Sequence, residues 1–315
     1  MYNYIYYLFL LFLSFEIILY FLVHFLKSDF QWIITKKDEF PFKSNFEFNK
    51  FFKYSFDKKT GWDRKKNTSG FEILNGRKTY FNITKNGFRN TPLKNKKSLI
   101  SVFGDSYAFC RYVNDNKTWE TALEKKIKSC VKNFGVGNFG LDQSFLKYKK
   151  IKSTKSTKLI IFAFVPETIV RINSYWKHYR EFGNILGFKP LYKLKKNKLI
   201  LKKIPLKRNF TEKQIYRIIP EMKKFDTFYK SKFLKYKFSF PYSLVFLKNF
   251  KYFSNIILNL LIAKITNNKK YLNKAISVVL KENIRDSHRM YNDPYYFKKL
   301  KAMIYYLNDD LKKKK

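Results

Sequence analysis

Gly104-Asp105-Ser106 is the segment of this chain best suited to chemistry, because it closes the short apolar run from Leu99 to Phe103. A strand that ends in a tight glycine turn and feeds a helix presents the next serine at the carboxyl edge of a sheet, where α/β folds gather their ligands. There the hydroxyl meets unpaired backbone N–H groups and the partial positive charge of a helix N-terminus. Both stabilise the oxyanion that forms when a serine attacks an ester carbonyl. The plainer alternative is that Asp105 and Ser106 only cap the following helix. A serine nucleophile also needs a base, and the chain has three histidines, His24, His178 and His288. Cys110 and Cys130 have no metal-ligand spacing and read as packed thiols, with a bridge between them open in an oxidising compartment. No metal and no cofactor is called for.

The elements that must position Ser106 follow an α/β pattern. Leu99 to Phe103 reads as a buried strand, Trp119 to Ile127 has helical periodicity, and Val131 to Phe134 and Leu159 to Phe164 read as further buried parallel strands. Ahead of them, Gly61 to Arg89 is a β-rich entry, with Tyr80 to Ile83 alternating and Asn86-Gly87 supplying a turn. Beyond Pro166 the chain becomes polar, aromatic and helix-rich, with a β-hairpin at Leu191 to Ile204 turning at Lys196-Asn197 and a last helix from Tyr295 to Leu311. Ile256 to Ala263 is apolar but too short to span a bilayer. With Lys248, Lys251 and Lys264 nearby it suits either a packed helix or one lying on a membrane surface.

Two blocks of this region resemble those of the bacterial SGNH/GDSL hydrolases. The first is Asn86-Gly87-Phe88-Arg89, then Val102 to Cys110 (VFGDSYAFC), Val113, Thr118-Trp119 and Leu123; the second is Val131 to Gly140 (VKNFGVGNFG), followed by Asp142-Gln143. The resemblance covers Gly61 to about Arg171. It implies a flavodoxin-like three-layer α/β sandwich with a parallel sheet, and an esterase, lipase, deacetylase or acyltransferase chemistry, often directed at glycans. Carried over by position, Ser106 matches the nucleophile and its backbone N–H one oxyanion donor. The second donor, a glycine in the family, falls at Asn138 beside Gly137, and asparagine tolerates the left-handed turn better than most residues. The family's oxyanion asparagine after the third strand falls at Glu167, whose carboxylate would repel a developing oxyanion. The family's base lies in an Asp-x-x-His block that this sequence does not contain. Asp286 and His288 stand at the wrong spacing for it and would serve only if geometry overrode order. The expectation is therefore a domain incomplete at its C-terminal end, the product of a truncated or split gene, with negligible esterase activity as written.

Composition bounds the rest. The 315 residues are 45% hydrophobic and 20% aromatic, enough for a large packed core. The net charge of +43 would ordinarily suggest nucleic acid. Here lysine is spread along the whole chain together with Phe, Tyr, Ile and Asn, all from AT-rich codons, and no aromatic-basic binding motif emerges. A membrane, and an acyl ester or glycan, are the expected partners, and nucleic acid is not. Tyr4 to Leu26 is nearly all apolar and has the length of a membrane span, with Glu16 in its middle and no cleavage signature after it. The linear scheme is thus an anchor over 1–27, a linker and β-rich entry over 28–90, and the α/β domain over 91–315 with a helix-rich insertion from about 167. Lys27, Lys36 and Lys37 after the span would place that domain in the cytoplasm, whereas the resemblance implies the periplasmic or extracytoplasmic side.

Overall fold

The computed structural model describes residues 2–151, 157–206 and 209–312. In chain order the first half holds α1 (Tyr2–Lys27), β1 (Ile34–Thr35), α2 (Asn45–Tyr54), β2 (Phe56–Asp57), β3 (Gly61–Trp62), β4 (Thr68–Leu74), β5 (Arg77–Ile83), β6 (Ser98–Gly104), α3 (Trp119–Ile127), β7 (Cys130–Asn133) and α4 (Leu141–Lys150). Then come β8 (Leu159–Ala163), α5 (Thr168–Arg171), α6 (Lys177–Arg180), β9 (Leu191–Lys195), β10 (Lys198–Lys202) and α7 (Glu212–Phe225). The chain closes with β11 (Lys237–Phe238), α8 (Tyr242–Lys248), α9 (Phe250–Thr266), α10 (Lys269–Asn292) and α11 (Pro294–Lys312).

These elements form two compact units that cut across the linear scheme. An α/β unit comprises Ser44–Tyr175, Gly187–Ile215 and Ser287–Lys315, and a helical unit comprises Met1–Lys43, Trp176–Leu186 and Tyr216–Asp286. Residues from Ser44 onward belong with the sheet, while two later stretches return to pack with the N-terminal segment.

The α/β unit is built on a parallel three-stranded sheet in the order β7-β6-β8. The chain starts in the middle strand, moves to one side through α3, then crosses to the other through α4. Right-handed crossovers therefore put the two helices on opposite faces. The side chains of β6 divide in the same way. Ile100 and Val102 pack with Val131 and with Leu123 and Ile127 of α3. Phe103 points the other way, stacked between Phe134 (5.0 Å) and Phe162 (5.5 Å) with Tyr148 of α4 edge-on at 5.7 Å. Burying such a ring stabilises the fold by about 2–3 kcal/mol. The β4–β5 hairpin leans on this sheet through bridges from Ile83 to Arg89 and from Arg89 to Asn133. Thr79, Phe81 and Ile83 alternate inward as the sequence pattern requires. The β9–β10 hairpin turns at Lys196-Asn197, both left-handed, which matches the twist of paired strands.

In the helical unit, α1 is long and apolar enough to cross a membrane. Tyr4 to Phe15 are exposed, whereas Glu16, Leu19, Val23 and Leu26 form a buried stripe at helical spacing. Glu16 is paired with another helix: its carboxylate accepts the N–H groups of Tyr242 (2.6 Å) and Ser243 (2.8 Å) at the start of α8. That satisfies two donors a helix end leaves open.

Candidate functional site at the carboxyl edge of β6

Gly104 ends the central strand where two backbones nearly touch. A Cβ there would lie 2.1 Å from the Ala163 carbonyl oxygen and 2.7 Å from Ala108 Cβ. Gly135 answers from the second loop, where a Cβ would lie 2.4 Å from the Phe109 nitrogen. The close approach is stitched by Val136 N–H donating to the Gly104 carbonyl (3.0 Å) and by Asn133 Nδ2 donating to the Ala108 carbonyl (2.7 Å). These contacts set the turn that carries Ser106 against the segment that carries Gly137 and Asn138. Asn138 takes the left-handed conformation, with φ of 63°. Gly137 does not need it, and its carbonyl accepts from the Trp62 indole (3.1 Å).

No helix follows Ser106 directly, contrary to the sequence expectation. Phe109 N–H bonds back to the Asp105 carbonyl (2.9 Å) and Arg111 N–H to the Ser106 carbonyl (3.1 Å). Left-handed residues Cys110 (φ 57°) and Tyr112 (φ 64°) then stop any helical continuation, and α3 begins only at Trp119. The backbone donors around Ser106 are therefore single N–H groups and not a helix terminus. Those of Ser106 and Asn138 have no acceptor among the described residues. Asp105 does behave as a cap, with Oδ1 accepting Tyr107 N–H (2.9 Å). The Ser106 hydroxyl does not: it is half-buried and has no partner among the described residues.

Two arginines hold the site, and the sequence reading assigned a role to neither. Arg171 is buried beneath it and donates through Nη1 to Asp105 Oδ2 (2.9 Å) and to the Phe139 carbonyl (3.0 Å), and through Nη2 to Glu167 Oε2 (2.7 Å). The Glu167 carboxylate is thus shared with a guanidinium, which offsets its negative charge. The i,i+4 spacing of Glu167 and Arg171 was the available signal. Arg89 is also buried. It donates to the carbonyls of Phe109, Cys110 and Val113 and to Asp115, collecting the irregular turn after Ser106 onto one side chain. Asp142 and Gln143 serve structure: Asp142 pairs with buried Lys189, and Gln143 donates to the Thr60 carbonyl (2.8 Å).

Among the described residues no hydrogen bond joins Ser106 to a histidine. In the helical unit, His178 has both ring nitrogens occupied, Nε2 by the Asp38 carbonyl (2.8 Å) and Nδ1 by Gly183 N–H (3.2 Å). Desolvation pushes it down to about 4, so it is neutral at ordinary pH. His24 bonds the Tyr20 carbonyl within α1. Asp286 and His288 are not brought together: they lie two apart on α10, on different sides of the helix, with Asp286 bound to Lys232 (2.8 Å) and His288 exposed. Both cysteines are free thiols, pushed up to about 12 by burial. Cys110 Sγ lies 3.3 Å from Glu120 Oε2, whose own pKa burial raises to about 7. No group of residues able to hold a metal ion occurs among the described residues. Comparison with protein-family models, with curated proteins and with solved structures gave no match to this chain.

Proposed function

We propose that this chain is a membrane-anchored protein of the SGNH/GDSL ester-hydrolase type, with α1 as its anchor, its α/β unit outside the cytoplasm and glycan O-acyl groups as the substrate class. In this reading Ser106 Oγ attacks the acyl carbonyl, and the N–H groups of Ser106 and Asn138 receive the oxyanion. Arg171 holds Asp105 and the Phe139 carbonyl, and so keeps the two donor loops at their separation. The observation that carries the reading is an unpartnered Ser106 hydroxyl, with unspent N–H groups at Ser106 and Asn138, on two loops that approach closely at Gly104 and Gly135, at the carboxyl end of the first strand in a 2-1-3 parallel sheet. That no histidine bonds Ser106 among the described residues favours a second reading, a non-catalytic membrane protein that presents the same cleft to a glycan or lipid-linked sugar.

Turnover of a chromogenic acetyl ester, with and without added imidazole, separates the two. A serine held over an oxyanion hole but lacking its base gives little turnover alone, and gains it when imidazole supplies the base. The catalytic reading requires that this gain disappear in Ser106→Ala. An imidazole effect of equal size in wild type and Ser106→Ala favours the binding protein.

A further inference from the structure

Helix α1 is held by its middle. Its buried stripe faces α8 and α9, with Phe15 edge-on to Phe246 at 6.2 Å, Tyr20 edge-on to Tyr242 at 5.7 Å, and Glu16 capping the first N–H groups of α8. Its outer side stays apolar and exposed through Ile17, Ile18, Phe21 and Phe25. At 1.5 Å per residue, Glu16 lies about 16 Å from Lys27 along the helix. Whatever depth the centre of α1 takes, α8 must share it.

The free side of α8 suits that environment. Phe240, Leu244, Leu247 and Phe250 are 71%, 50%, 58% and 56% exposed, and Lys248 and Lys251 are interleaved with them. Exposed apolar side chains at this density are costly in water. Lysines beside it can extend their ammonium groups to headgroups while their stems lie on apolar surface.

We propose that α8 and the first turn of α9 bury in the bilayer beside α1, and that Lys248 and Lys251 make this face selective for anionic lipid. The inference rests on the reading of α1 as an anchor. It makes the membrane contact a multi-helix face with a fixed orientation, instead of a single stem.

The test uses the full-length chain in phosphatidylcholine vesicles with or without phosphatidylglycerol. A thiol-reactive fluorophore is placed at Leu247→Cys or Leu11→Cys in a Cys110→Ser background, Cys130 being fully buried. A lipid-attached quencher is then compared with aqueous iodide. The lipid quencher is expected to reach both positions, with quenching at 247 rising about twofold with phosphatidylglycerol and that rise lost in Lys248→Gln/Lys251→Gln. Quenching at 247 by iodide alone, while position 11 stays in lipid, overturns the proposal and leaves the anchor standing. Iodide quenching at both positions overturns the anchor as well. A label at 247 shielded from both quenchers gives the face to a second copy of the chain, and quenching indifferent to phosphatidylglycerol removes the anionic preference.

Discussion

Replacing Arg171 by methionine keeps an unbranched apolar stem and removes the guanidinium bonded to Asp105. Asp105 is 1% exposed and Arg171 6%, so neither charge can turn to water for compensation. Removing one partner of such a buried pair costs about 3–5 kcal/mol, because the other charge stays buried and uncompensated. For a domain of 150–250 residues each kcal/mol moves the unfolding midpoint by about 2–4 °C, so Arg171→Met should lower it by about 6–20 °C. The Glu167 arm of the same guanidinium is different. Its carboxylate is 40% exposed, and an exposed pair is worth about 0–1 kcal/mol, so Glu167→Gln should lower the midpoint by at most about 4 °C. Asp105→Asn should resemble Arg171→Met, and the double variant should recover part of the loss, with a coupling of about 2 kcal/mol or more. Thermal unfolding followed by near-ultraviolet circular dichroism in detergent measures all four. A midpoint for Arg171→Met within about 3 °C of the parent, or equal losses for Glu167→Gln and Asp105→Asn, would refute the argument that Arg171 pins the serine turn through a buried pair.

Three further outcomes follow from buried groups. His178 titrates near 4 in the fold and near 6.5 when unfolded, so the unfolded chain binds the extra proton first as pH falls. Stability should decline from pH 6.5 to about 4 by up to about 3 kcal/mol, and His178→Gln should flatten that slope in urea titrations. Glu120 has the opposite sign: its folded value is raised to about 7 from 4.5, so its contribution is intact below 4.5 and is lost as pH rises to 7. Glu120→Gln should accordingly stabilise the protein at pH 8 and change little at pH 4, measured by the same titrations. Gly104→Ala forces a Cβ onto the Ala163 carbonyl and should cost about 2 kcal/mol or more, with β6 and β8 amides losing hydrogen-exchange protection first.

What the sequence made legible is local. The helix expected over Trp119 to Ile127 is found at those residues, and the hairpin at Leu191 to Ile204 turns at Lys196-Asn197 as expected. The last helix, expected from Tyr295 to Leu311, runs from Pro294 to Lys312. In each case periodicity or turn chemistry sits within a few neighbouring residues. The helix expected straight after Ser106 failed because Cys110 and Tyr112 adopt left-handed conformations, which non-glycine residues do not announce. The two-unit organisation was hidden because it depends on pairs such as Glu16 with Ser243, far apart in the chain. Arg89 was hidden for the same reason, and so were the bonds of Arg171 to Asp105 and Phe139, its Glu167 partner alone being near in sequence. Their partners are carbonyls and carboxylates of other loops, and a composition rich in basic residues gives no hint which of them are buried. Even the low expectation for Asp286 and His288 missed its physical ground, which is that Lys232 already holds Asp286.

The proposed role of Ser106, a nucleophile set over an oxyanion hole, is open to covalent capture. Full-length protein in detergent is treated with a fluorophosphonate in the presence of imidazole, and the adducts are located by peptide mass spectrometry. A single phosphonylated serine is expected, at Ser106, with imidazole-dependent yield that falls severalfold in Arg171→Met. No adduct at Ser106, or one no more frequent than at the other serines, would contradict it.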